Sequence, residues 1–404
     1  MLLKVFASAE NGWMWVLDMG TMSDRERFRA TVHFRKPDRL PFCEWFGYDY
    51  ETIISWFKQG MPLSSIAFVR DGFAGGRWGP RPDLRGSFFG LDTIGDRTGE
   101  VFMIDAGPIP RYVGTTLDSD AEHRVVVSPD GTTQKVALNK PVYTFPEVLD
   151  WPVKKMSDWE RVKELFDPND PRRYPLDWGD KLIEYYKTVD HPIGLMICGF
   201  FFVARQLMGT LKVLTSFYRD PELIRDMMDF WTNFLIQSNK EAVESLKSEG
   251  IDYVGIWEDF AYKHGPHMSP KIFKEFMLPG YKRLIEFLRK NGIDVIMIDT
   301  DGNPTALIPL LLEANVNGLY PLEVAAGMDA RTLRKDYGSK LRLIGNLDKR
   351  ILLKSKEEIR NEVESKVPLL AETGGYIPSL DHTVPPDVPY GNYKYYLEVL
   401  KECL

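Results

Sequence analysis

The chain is predicted to be an α/β protein folded as a single (β/α)8 TIM barrel, and three observations carry that prediction. From residue 190 onward, short apolar runs rich in Ile and Val alternate with amphipathic helices. Several of those helices begin on Pro and stop near Gly250, Gly292, Gly338 or Gly374, the usual start and stop signals. With a further buried run at Arg39–Trp45 there are at least seven strands, which favours closure over an open sheet. An open doubly wound sheet is the alternative, but its GxGxxG fingerprint is absent, as is GxxxxGK[ST].

Residues 1–22 are read as an N-terminal helical extension before the barrel of residues 23–404. They include WMWVL, but Glu10 and Asp18 interrupt the apolar stretch, so no signal peptide is expected. Ser23 is a good N-cap for the helix RERFRATVHF. Arg39–Trp45 then supplies a strand and Tyr50–Lys58 a helix. Residues 98–140 read as an antiparallel insertion, with strands at Val101–Ile104, Gly114–Leu117, Arg124–Val127 and Thr133–Ala137. Lys140–Asp177, rich in Pro and Trp, is expected to wrap the barrel. The remaining strands are Ile193–Cys198, Tyr253–Trp257, Asp294–Ile298, Gly318–Pro321, Leu341–Ile344 and Tyr376–Pro378. The helices between and after them include Pro221–Ser248, Pro270–Asn291, Pro304–Ala314, Asp329–Tyr337, Lys356–Thr373 and Tyr390–Glu402.

Composition narrows the function. With 44% hydrophobic and 27% charged residues the chain is neither disordered nor a coiled coil. No apolar run approaches the roughly 20 residues of a membrane span. A net charge of −7 argues against a nucleic-acid partner. Cys43, Cys198 and Cys403 form no CxxC pair and no disulfide framework, which suits a reducing cytoplasm.

A barrel carries its chemistry at the C-terminal ends of its strands. That rule collects Glu44, Glu258, Asp299, Asp301, Glu323, Asp348 and Asp381 into an acidic rim, with an aromatic side from Trp257 and Phe200, Phe201 and Phe202. Crowded carboxylates raise one another's pKa unless a cation or donors compensate. Asp299 and Asp301 on one extended strand end would face the same way, and His382 from a neighbouring strand completes an O, O, N donor set that suits a borderline or hard divalent metal. Glu258 is a further ligand or general acid/base, while Glu44, Glu323, Asn346 and Asp348 orient the substrate. Plainer roles stand beside these. Asp301 can cap the following helix, His382 can bond a backbone carbonyl, and Glu258-Asp259 can be a solvated loop pair. His264 and His267 suit surface or capping roles, and Cys198 a buried small residue.

Ser23–Phe42 (SDRERFRATVHFRKPDRLPF), Glu258–Gly292 and Val384–Pro389 (VPPDVP) together resemble the uroporphyrinogen decarboxylase superfamily over roughly residues 23–403. The resemblance implies a (β/α)8 barrel and one of two chemistries. One is cofactor-free decarboxylation of a tetrapyrrole's acetate side chains. The other is methyl transfer linked to a corrinoid on a separate protein, with zinc activating the partner. The decarboxylases carry an Arg-rich segment after the first strand, where this chain reads FCEWFGYDY, with Glu44 and no Arg. The thiol-methylating members bind zinc through a His-x-Cys-Gly and a later Cys; here those positions read Asp299-Thr300-Asp301-Gly302 and His382. The resemblance therefore implies a cytoplasmic methyltransferase acting on a small molecule, with Asp299, Asp301 and His382 polarising it with or without a metal. Tetrapyrrole decarboxylation and a non-catalytic binding barrel are the alternatives.

Overall fold

The computed structural model describes residues 21–62, 67–68, 82–83, 88–96, 98–138 and 146–404. The extension expected at residues 1–22 lies almost wholly outside them. Seven strands form one parallel sheet: β1 (Glu100–Met103), β6 (Ile193–Cys198), β7 (Tyr253–Trp257), β8 (Ile296–Asp299), β9 (Gly318–Tyr320), β10 (Arg342–Leu347) and β11 (Tyr376–Leu380). They lie side by side in chain order from β1 to β11. Four further strands, β2 (Thr115–Ser119), β3 (His123–Val127), β4 (Thr133–Ala137) and β5 (Glu147–Asp150), make a separate antiparallel sheet.

The eighth stave is residues 40–46, joined to its neighbours by side chains rather than by a ladder. On one flank the Trp45 N–H donates to Ser379 Oγ at 2.9 Å, and the Leu380 N–H and the Ser379 hydroxyl donate to Glu44 Oε2. On the other flank the Thr98 hydroxyl donates to the Glu44 carbonyl at 2.7 Å. A parallel bridge between Tyr48 and Val384 continues the seam. Residues 40–46 thus bridge the two edges of the sheet without forming the strand expected at Arg39–Trp45, and two further sequence assignments change. Residues 101–103 belong to the barrel rather than to the insertion, since β1 pairs in parallel with β6. Residues 147–150, expected to wrap the barrel, are the fourth strand of the antiparallel sheet.

Inside the cylinder Trp45 packs against Tyr253 and Tyr320, with ring centroids 5.3 and 5.4 Å apart, and Phe28 covers Tyr253 from below. A second apolar layer lies between sheet and helices, where the amphipathic faces bury Leu, Ile and Val. The helix expected over Pro221–Ser248 breaks at Asn239 into Pro221–Ser238 and Lys240–Gly250. The one over Pro270–Asn291 contains a π-helical turn at Phe273–Met277.

The charges of the first motif hold the base of the barrel. Helix α1 (Asp24–Val32) starts with a capping box of Ser23 and Glu26. Its buried Arg25 donates to Asp252 and to the carbonyls of Lys187, Val189 and Glu249. Arg27 binds Asp38 at 2.9 Å, and Arg39 binds the buried Asp92 at 2.6 Å. A buried charge persists only when paired and hydrogen-bonded, which this network achieves. Among the described residues no helix is long and apolar enough to cross a membrane.

Candidate active site

The strand register assembles the mouth. Cys198 pairs with Trp257, Trp257 with Asp299, and Asp299 with Tyr320. In-register residues of parallel neighbours share a face, so these four form one row at the C-terminal end of the sheet. The face is the inner one: Tyr320 lies over Gly255, two residues below Trp257, where a Cβ would sit 2.4 Å from the tyrosine hydroxyl.

Above this row the chain leaves β8 through Thr300, Asp301 and Gly302. Gly302 has φ +80° and lies against the Tyr262 backbone, where a Cβ would come within 2.6 Å. This turn ends the extended geometry that would have put Asp299 and Asp301 on one side. Asp299 stays in the inner row, and Asp301 meets His382 instead, with Oδ1 3.8 Å from Nε2. Their side chains are 50% and 31% exposed, so the pair can be reached from outside. The His382 ring lies flat on Phe46, centroids 5.1 Å apart and planes 4° apart. Asp301 does not cap the next helix; the Thr305 N–H is taken by Asn303 Oδ1.

Electrostatics single out Asp301. Burial, with Glu323 and Asp259 close by, pushes its carboxyl up to about 7, against the pull of Lys349 and Arg205. Arg205 is itself held by Asp259 at 3.1 Å, and the Trp257 indole N–H donates to the same carboxylate oxygen. Trp257 stacks on Phe202 at 4.4 Å, giving the mouth an aromatic wall. Burial pushes the Cys198 thiol up to about 12, so it is not a thiolate near neutrality.

Among the described residues no three His, Cys, Asp or Glu side chains are gathered so as to hold a metal ion. Asp301 and His382 converge, but Asp299 belongs to the row beneath them.

Several other expectations change because the polar atoms are already engaged. Glu258 is fully buried. Its oxygens accept from the N–H groups of Phe200, Phe201 and Phe202 and from the Tyr281 hydroxyl. It anchors the N-terminus of α4 (Phe200–Met208) instead of facing the mouth. Burial pushes it up to about 7 against those four donors. Phe200 and Phe201 are core residues, packed on Tyr281 and His267. Asn346 is buried and donates to the Leu322 and Met328 carbonyls while accepting from the Ala330 N–H. Asp348 caps the turn at 349–353 and pairs with Arg350 at 2.7 Å. Glu323 remains at the rim, its Oε2 accepting the Gly302 N–H at 2.8 Å. Residue-by-residue reading missed Phe46, whose signal was its place one residue past a strand end, and Lys349, which follows Asp348.

Glu44 lies in the seam rather than the mouth. Burial pushes it up to about 7, opposed by Tyr396, Leu380 and Ser379. A carboxyl raised from 4.5 in this way makes the fold lose stability as pH rises from about 4.5 to about 7. Glu44→Gln is therefore expected to flatten that slope by about 3 kcal/mol between pH 4 and 8, measured by urea unfolding. An unchanged slope would show that Glu44 is ionised in the native protein throughout.

Comparison with known proteins places these features in context. The family model described as uroporphyrinogen decarboxylase (URO-D) matches residues 129–403. A curated uroporphyrinogen decarboxylase from Legionella pneumophila is 30% identical over 191 residues, covering 47% of this chain and 51% of that protein. One from Chlorobium phaeobacteroides is 24% identical, covering 46% and 50%. The chain spans about half the length of the curated relatives it matches. Among solved structures, a methyltransferase from Methanosarcina mazei is similar in fold, with a TM-score of 0.56 and 17% identity over 95% of this chain and 99% of that one.

Proposed function

Because this chain belongs to the uroporphyrinogen decarboxylase family and is a barrel enzyme of that kind, we propose that it transfers a methyl group between a small, partly apolar compound and a corrinoid carried by a separate protein. The supporting observation is the charge of the mouth. A substrate with eight carboxylates needs arginine clamps. Here Asp301, Glu323 and Asp259 crowd together, and Arg205 is bound to Asp259.

The corrinoid supplies the nucleophile that accepts the methyl group. For a methyl ether, the carbon–oxygen bond breaks, the electron pair stays on oxygen, and that oxygen must take a proton. Asp301, held protonated up to about pH 7, donates it from a position open to the mouth. His382 Nε2 lies 3.8 Å from the Asp301 carboxylate, on the same side of the mouth. Trp257 and Phe202 present an apolar wall to the rest of the substrate. No tight cation site is required.

The test is to incubate the purified chain with cob(I)alamin and a methoxylated benzene at pH 6.5 and follow the absorbance of methylcobalamin. Growth of that spectrum supports the reading. No growth, alongside carbon dioxide release from uroporphyrinogen, replaces it with decarboxylation.

A further inference from the structure

Three links close a ring around the acid pair, and a fourth ties a further loop to it. Asp381, 2% exposed, ends β11. Its Oδ2 accepts the Val324 N–H at 2.9 Å and its Oδ1 the Lys349 N–H at 3.0 Å. The residue before Val324 is Glu323, which accepts the Gly302 N–H at 2.8 Å. The residue before Gly302 is Asp301, 3.8 Å from His382, and His382 follows Asp381 in the chain. The loops after β8, β9, β10 and β11 are therefore tied to one another through two buried or half-buried carboxylates.

We infer that Asp381 is a positioning residue: by gripping the loops after β9 and β10 it fixes, through Glu323 and Gly302, the separation of Asp301 and His382. A buried carboxylate spanning two backbone N–H groups of different loops is rigid, because releasing either group leaves it unsatisfied in a dry site. The anchor lies on a strand end, which places side chains more closely than loops do. The kinetic consequence rests on the reading of Asp301 as proton donor; the geometric one does not.

The test uses the full chain with 13C-labelled histidine. His382, assigned by its loss in His382→Gln, is expected to have a ring C–H resonance displaced by the Phe46 ring current, with Phe46→Leu marking the undisplaced position. Val324→Pro removes the donor to Asp381 Oδ2 and sets the ring carbon against that oxygen, at the first residue of the turn Val324–Ala326, where the backbone tolerates proline. It is expected to move the His382 resonance at least halfway to the Phe46→Leu position. Glu323→Ala should do the same and Glu323→Gln, which keeps an acceptor, should not. Should Val324→Pro fail to fold, the Glu323 pair decides. A His382 resonance unmoved in both Val324→Pro and Glu323→Ala would overturn the inference. Where methyl transfer is observed, kcat should fall about tenfold with KM within about twofold. A wild-type chain inactive in that assay sinks the proposed function, while the resonance still decides this inference.

Discussion

Asp301→Asn is expected to lower kcat for methyl transfer from an ether by about 10²–10³-fold, the usual contribution of a positioned general acid. Its pH profile carries the sharper signal. With Asp301 as the proposed acid, the protonated carboxyl would be the active form, so the rate should fall as pH rises through about 7, where burial and the neighbouring Glu323 and Asp259 have moved it. The asparagine cannot donate in this way, and that limb should vanish while a low, flat rate remains. Stability responds with the matching sign. The folded-state value lies above the unfolded 3.8, so Asp301 contributes stability at low pH that is lost between about 4 and 7. The asparagine variant should therefore be somewhat more stable than the native protein at pH 8, by a small amount because the side chain is half exposed. Initial rates and urea midpoints from pH 5.5 to 8.5 read both effects. An inflection near pH 7 that persists in the variant would assign it to another group and remove Asp301 from the mechanism.

Glu258→Ala is expected to destabilise the fold by about 3–5 kcal/mol. The change opens a cavity and strips acceptors from three backbone N–H groups at the start of α4 and from the Tyr281 hydroxyl. Gly199 leaves no slack: a Cβ there would lie 2.2 Å from the Glu258 carboxyl carbon, so backbone and carboxylate are in direct contact. Glu258→Gln keeps the volume but turns an NH2 towards donors, and should lose less than the alanine. A catalytic acid would behave in the opposite way, losing rate with its unfolding midpoint unchanged. Denaturant titration of both variants separates the two roles. A native-like midpoint in Glu258→Ala would return Glu258 to the chemistry.

The two carboxylates differ for a reason visible only in three dimensions. Both follow strand ends and both are raised to about 7 by burial. Glu258 meets the N-terminus of α4, whose unpaired N–H groups consume its oxygens. Asp301 sits on a turn whose N–H donors are taken by Glu323 and others, leaving its carboxyl to face His382. The same competition accounts for Asn346 and Asp348, both correctly placed at the end of β10 and both consumed by backbone groups.

The alternation of apolar runs with capped helices determined the barrel, the strand ends and hence the set of acidic residues near its rim, because burial and hydrogen bonding impose local periods on the chain. Which stave carried the seam, and that β1 left the insertion to join the cylinder, depended on pairing between segments far apart in sequence. Whether each rim carboxylate faced the mouth or a backbone donor depended on neighbours contributed by other loops. Those partners are fixed by closure of the sheet, and no local pattern encodes them.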